Sequence, residues 1–203
     1  MLLAINPDNP QPRLIKQVTD RLKGGSIICY PTDTGYGIGC DLFHTKAVKK
    51  LLLIKKRPKN KPFSFMCSNL KNISTYAHVS NTAYRLLKKN LPGPYTFVLP
   101  GAKIVPKLMA TKQKTVGIRV PDSPICLELI EALGNPIVNS SIPLHEDETP
   151  PIEPYEIDLL IGNRVDCIID GGPSYPDPSS VIDLTGNYPQ ILRIGKGDVT
   201  PFQ

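Results

Sequence analysis

The chain contains no tryptophan, and aromatic residues make up only 6% of its 203 positions. Its apolar runs are a few residues long, far short of the roughly 20 that a helical membrane span needs. The opening MLLAINPDNPQPR lacks a basic start, a long apolar stretch and a small-residue cleavage site, so it is not expected to act as a secretory signal. Cysteine is scarce and poorly spaced for structure. The five (Cys29, Cys40, Cys67, Cys126, Cys167) are odd in number and include no Cys-x-x-Cys. A disulfide framework or a zinc site is therefore not expected, and the chain reads as a reduced, cytoplasmic protein with mostly buried thiols. Nor does it carry GxxxxGK[ST], GxSxG or HExxH. That excludes a Walker-type phosphate loop, a nucleophile elbow and a helix-borne catalytic zinc.

What remains is a sequence able to bury a core. Hydrophobic residues make up 40%, and the length suits one domain over 1–203. The formal charge of +6 favours polyanionic partners such as a nucleotide or RNA, and says nothing of fold. The 22 prolines are spread along the chain. The one long connection expected is the acidic, proline-rich 142-IPLHEDETPPIEP-154.

Apolar spacing predicts helices over 12–23, 44–56, 80–90, 123–133 and 153–161. Ser80 or Asn81 is the N-cap candidate of the third, and Ser123 caps the fourth with Pro124 at its first position. Short apolar runs predict strands at 26–30, 62–67, 95–99, 115–120, 136–139, 166–170, 180–184 and 190–194. Strict strand–helix alternation fails over 166–194, where three strands follow one another. The expected fold class is α/β, a twisted mixed sheet flanked by helices.

Several stretches could carry chemistry. In 35-GYGIG-39 the spacing is not GxGxxG and no amphipathic helix opens on it, so the glycines read as a tight turn and close backbone packing. The segment 31-PTDT-34 follows a buried strand, where ligand groups are often placed, yet Pro, Thr and Asp also make ordinary turns. In 55-KKRPKNK-61 five of seven residues are cationic. Lys55 and Lys56 suit a helix C-terminus, but five like charges repel one another unless an anion joins them. Pro58 and Pro62 stiffen the segment, so it reads as a phosphate-binding loop. Arg119 and Arg193 lie near strand ends, where a lone arginine is most often a surface residue. Ser140-Ser141 and Ser179-Ser180 adjoin apolar strands, where serine pairs usually serve turns or caps.

Taken in order, PTDTGYGIGCD, KKRPKNKPF, LPGPYTFVL, VGIRVPD, SSVIDLT and LRIGKGD resemble the YrdC-like threonylcarbamoyl-AMP synthase family from about Ile27 to Gly197. The tail DCIIDGG, SSVIDLT and ILRIGKGDVTPF is most similar to the YciO branch. The resemblance implies a YrdC-like fold with a concave, basic face. It implies condensation of L-threonine, bicarbonate and ATP to threonylcarbamoyl-AMP and pyrophosphate, for tRNA threonylcarbamoyladenosine modification. Mg²⁺ would arrive with ATP.

By the same resemblance, Lys55 and Arg57 are the catalytic pair and bind ATP together with Lys61, Ser141 and Arg193. Thr32 or Thr34, Arg119, Ser179 and Ser180 form the threonine pocket. Two positions depart from the family pattern: Pro143 stands where an asparagine is expected in 141-SIP-143, and Met66 where synthases carry a histidine. The other function implied is that of a YciO-type protein that binds double-stranded RNA or tRNA, with weak synthase activity or none.

Overall fold

The computed structural model describes residues 1–55, 63–109, 111, 113–145 and 147–203. Among them the elements run β1 Leu2–Ala4, α1 Pro12–Lys23, β2 Ile28–Thr32, β3 Gly35–Asp41, α2 Thr45–Lys55, β4 Ser64–Met66, α3 Leu70–Tyr76 and α4 Asn81–Asn90. They continue β5 Tyr95–Pro100, β6 Thr115–Arg119, α5 Pro124–Leu133, β7 Ile137–Ser141, α6 Pro154–Ile161, β8 Cys167–Asp170, β9 Ser180–Asp183 and β10 Gln190–Arg193. One mixed sheet takes all the strands in the order β1-β8-β2-β3-β7-β4-β6-β5-β9-β10. The β1/β8, β2/β8, β4/β6 and β5/β9 pairs are parallel and the others antiparallel.

Alternating side chains divide the core into two clusters, one on each side of this sheet. Ile38 and Cys40 of β3, Phe65 of β4, Phe97 and Leu99 of β5, Ile118 of β6, Val138 of β7 and Ile182 of β9 join Leu51 of α2 and Leu87 of α4. The other cluster joins Tyr30 of β2, Met66 of β4 and Ile137 of β7 to Ile15, Val18 and Leu22 of α1 and Ile125, Leu129 and Ile130 of α5. All five cysteines are free thiols, and all are buried, as the sequence suggested. Among the described residues no helix is long and apolar enough to cross a membrane.

Helix ends follow side-chain chemistry. Ser123 Oγ accepts from Cys126 N, with Pro124 at the first helical position, and Ser80 Oγ accepts from Ala83 N. The glycines of 35–39 give the close packing expected of them, but they lie in a strand rather than a tight turn. β2 continues through Pro31 and Thr32, the turn is confined to the residues around Asp33 and Thr34, and Gly35–Asp41 is a fully buried strand. β1 and α3 are further elements that the apolar pattern did not predict.

Candidate active site

Helices α1 and α5 cover β2 and β8 on one side of the sheet. Further along that side the strands present small or polar, half-exposed residues: Asn139, Ser64, Gly117, Thr96 and Val181. Strand register fixes their layout. Ile137, Met66 and Arg119 form one row; Asn139, Ser64 and Gly117 form the next. Ser141, two residues further along β7, lies opposite Gly37.

At the buried edge of this face, Arg119 is only 3% exposed. A lone surface arginine is therefore not what this residue is. Its Nη2 donates to Asp33 Oδ1 in a buried ion pair. Arg119 Nε and Asp33 Oδ2 have no partner among the described residues. Both halves of the pair are thus incompletely satisfied, a condition that costs stability in a buried site. Lys196 Nζ donates to the backbone carbonyl of Asp33 at 2.6 Å, so the loop after β10 ties down the β2–β3 turn.

The turn itself explains which threonine is available. Thr32 Oγ1 donates to Gly35 O at 2.6 Å and accepts from Thr34 N at 3.1 Å. Its hydroxyl holds the turn together, and it is 9% exposed. Thr34 is half-buried, and its hydroxyl lies 3.2 Å from that of Thr32. Gly35 closes the turn with φ of +103°, a conformation that a side chain would strain.

Ser179 and Ser180 divide in the same way. Ser180 is fully buried; its Oγ donates to Gly197 O at 2.6 Å and accepts from Gly195 N at 2.9 Å. It fastens the C-terminal loop. Ser179 Oγ meets Thr96 Oγ1 at 2.8 Å and accepts from Arg193 Nη2 at 3.1 Å. Arg193 also donates through Nε and Nη2 to Ser179 O, at 2.9 and 2.7 Å. Burial first, and then the like charge of Arg119, hold the Arg193 guanidinium below its ordinary value. Two guanidinium groups near enough to repel each other make a place where an anion is welcome.

At the other end of the face, Lys55, the last residue of α2, donates through Nζ to Ser141 O at 2.6 Å. Arg57 and Lys61, with the rest of 56–62, lie outside the described residues. Ser141 is exposed, while the neighbouring Ser140 is buried, with no partner for its Oγ among the described residues. Met66 is fully buried against Tyr30 and Ile137, so position 66 offers the open face no polar group. Pro143 follows β7 and is half-buried. Two clefts of about 420 and 240 Å³ lie beside α5, the first lined by α1 and the second by α3, and neither is lined by any residue of this face.

The structure therefore gathers Thr34, Arg119, Ser179 and Arg193 around one end of the open face, with Lys55 and Ser141 at the other. The sequence reading noted the Asp33 carboxylate only as part of the 31–34 segment, and did not single out Lys196, Thr96, Ser64 or Asn139. Lys196 could have been suspected, since it sits in the same LRIGKGD run as Arg193. Asn139 gave no signal, because one asparagine in an apolar strand has no motif.

Comparisons with known proteins bear on the fold that carries this face. A model of the Sua5/YciO/YrdC family, described as telomere recombination, matches residues 20–195. The uncharacterised protein YciO of Escherichia coli is 45% identical over 199 residues, 98% of this chain and 97% of that one. Its crystal structure superposes with a TM-score of 0.95, covering 100% of this chain and 99% of the other at 43% identity. The threonylcarbamoyl-AMP synthase of Coxiella burnetii is 34% identical over 178 residues, 85% of this chain and 92% of the enzyme. The crystal structure of P. abyssi Sua5 complexed with L-threonine matches with a TM-score of 0.88 at 29% identity, over 96% of this chain and 57% of that chain. With the family model spanning most of the chain and near full-length relatives far above 30% identity, this chain belongs to the Sua5/YciO/YrdC family.

Proposed function

We propose that the chain is an L-threonylcarbamoyladenylate synthase, condensing L-threonine, bicarbonate and ATP to threonylcarbamoyl-AMP and pyrophosphate for tRNA modification. The observation that carries the reading is the pair of guanidinium groups, Arg119 and Arg193, brought to one end of an uncovered sheet face whose other end is reached by Lys55. Likeness to named threonylcarbamoyl-AMP synthases and to a Sua5 complexed with L-threonine supports it.

In this reading Arg119 takes the threonine carboxylate and Thr34 with Ser179 orients the rest of the amino acid. Thr32 and Ser180 keep the turn and the C-terminal loop in place around them. The amino group of threonine captures bicarbonate carbon with loss of water, giving a carbamate. A carbamate oxygen attacks the α-phosphorus, and the bond to the bridging oxygen breaks, releasing pyrophosphate. Lys55, Arg57 and Lys61 neutralise the departing charge, with Ser141 beside them and Arg193 on the nucleotide side. Mg²⁺ is expected to come bound to ATP, whose oxygens supply most of its shell. Catalysis is then positioning and charge neutralisation.

The test mixes purified protein with ATP, Mg²⁺, bicarbonate and L-threonine and looks for threonylcarbamoyl-AMP by mass spectrometry. A threonine-dependent product that vanishes in Arg57→Ala establishes the reading. No product beside an active synthase control overturns it and leaves RNA binding, which the +6 charge favours, as the account to pursue.

A further inference from the structure

The open face contains a polar device that no sequence motif announces. Tyr30 is fully buried on β2, yet its hydroxyl donates to Asn139 Oδ1 on β7 at 2.9 Å. β3 lies between those two strands, so the ring must cross it. It can cross only because β3 carries glycine there. A Cβ at Gly37 would stand 2.9 Å from the Tyr30 ring and 2.7 Å from Asn139 Oδ1; one at Gly39 would stand 2.6 Å from the Tyr30 hydroxyl. With Oδ1 held by Tyr30, the Asn139 amide nitrogen has no protein partner among the described residues. Asn139 is half-exposed, and the sheet register pairs it with Ser64.

Its place in the face gives the device a purpose. Along β7, Ile137 lies in the row of Arg119, Asn139 in the row of Ser64 and Gly117, and Ser141 beside Lys55. Each step is two residues, about 7 Å along the strand. A ligand whose carboxylate sits at Arg119 and whose pyrophosphate sits by Lys55 must carry its α-phosphoryl group over the row between. We propose that Asn139, oriented by Tyr30, donates its amide N–H to an anionic oxygen of the α-phosphoryl group, with the Ser64 hydroxyl beside it. This rests on the nucleotide reading above. It would place a side-chain amide on the open face although position 143 is proline.

In the reaction, negative charge on the non-bridging α-oxygens is redistributed as the carbamate oxygen bonds and pyrophosphate leaves. A fixed donor there needs no reorganisation at the moment of transfer. Asn139 is accordingly a binding residue and Tyr30 a positioning residue.

The experiment compares Asn139→Ala, Asn139→Asp, Tyr30→Phe and the Tyr30→Phe/Asn139→Ala double variant with the parent chain. Calorimetry with ATP and Mg²⁺ gives Kd, and product formation gives kcat/KM. Two-dimensional NMR of ¹⁵N-labelled protein follows the Asn139 side-chain amide during the ATP titration. Asn139→Ala is expected to lower kcat/KM about 10- to 100-fold, the usual effect of losing one donor to a charged oxygen. Asn139→Asp should be worse, because it sets a carboxylate against the phosphoryl group. Tyr30→Phe keeps the ring and loses only the orienting hydroxyl, so it should show a smaller loss that disappears in the Asn139→Ala background. The side-chain amide signal should move on adding ATP.

If Asn139→Ala folds and matches the parent in both Kd and kcat/KM, the inference is overturned, and so it is if the amide signal stays still while ATP binds. A parent chain that binds ATP but makes no product overturns the synthase reading alone; Kd and the amide signal then decide the inference. A parent chain that binds no ATP overturns both.

Discussion

On one side of the sheet, two neighbouring regions are built from similar strands and finished in different ways. Over β8 and β2 the side chains are Cys167, Ile169, Ile28 and Tyr30, sealed by Leu22 of α1 and Leu129 of α5. Over β7, β4, β6 and β5 the same side carries Asn139, Ser64, Gly117 and Thr96, all half-exposed. Apolar surface draws a helix down to cover it; small polar residues give a helix nothing to bury, and the face stays open. The boundary runs through Arg119 and Asp33, which belong to both regions.

The comparison breaks most severely at the crossing point. Gly39→Val is expected to prevent folding, because a Cβ there would lie 2.0 Å from Val138 O across the β3–β7 pair. Soluble yield and a thermal melt check this. Next in size is the boundary pair. Arg119→Ala leaves the Asp33 carboxylate buried without its partner and should cost about 3–5 kcal/mol of unfolding free energy. Arg119→Ala with Asp33→Ala should recover most of that stability without recovering threonine-dependent turnover, which urea melts and product assays would separate.

Matched substitutions in the two regions sharpen the contrast. Leu129→Ala, in the sealed region, should cost about 2–5 kcal/mol with its catalytic constants changed far less than its stability. Thr96→Val, in the open region, should change stability by about 0.5 kcal/mol or less while weakening the hold on Ser179 and raising KM for threonine. A melt and a kinetic titration of each variant suffice.

The smallest effect lies away from both regions. Glu156 Oε2 accepts from Glu153 N at 2.9 Å and Ile152 N at 2.7 Å, and these bonds, that from Glu153 first, lower its carboxyl below the ordinary glutamate value. A depressed folded-state value contributes stability above the unfolded value and loses it as pH falls through the folded one. The urea midpoint should therefore drop below about pH 4 in part through Glu156, and Glu156→Gln should flatten that acid limb slightly.

Much of the fold was legible because it is local. α1 spans the residues its apolar spacing marks, and α5 begins at Pro124 after the Ser123 cap. β3 was not, because Gly35, Gly37 and Gly39 are turn residues by local preference. Here Gly37 and Gly39 are in a strand because a tyrosine from the next strand passes over them, a reason that exists only in three dimensions. β1 escaped notice for a related cause: three residues at the sheet edge are fixed by pairing with β8, far along the chain. The candidate site divides likewise. Motif resemblance named Arg119, Arg193 and Ser179 as candidates, and the structure brings them to one place. It also separates hydroxyls that the sequence could not: Thr34 from Thr32, and Ser179 from Ser180. Asn139 and Asp33 acquire meaning only through Tyr30 and Arg119.

The five buried cysteines carry a consequence of a practical kind. Burial pushes the Cys40 and Cys126 thiols up to about 12 and raises those of Cys29, Cys67 and Cys167 as well. A thiol so protonated and enclosed is a poor nucleophile, so alkylating reagents must wait for the chain to open. Cys126 and Cys167 lie under the sealed region, and Cys29, Cys40 and Cys67 in the other core cluster. Identifying which cysteine is modified first would time the opening of each part of the molecule without any added label.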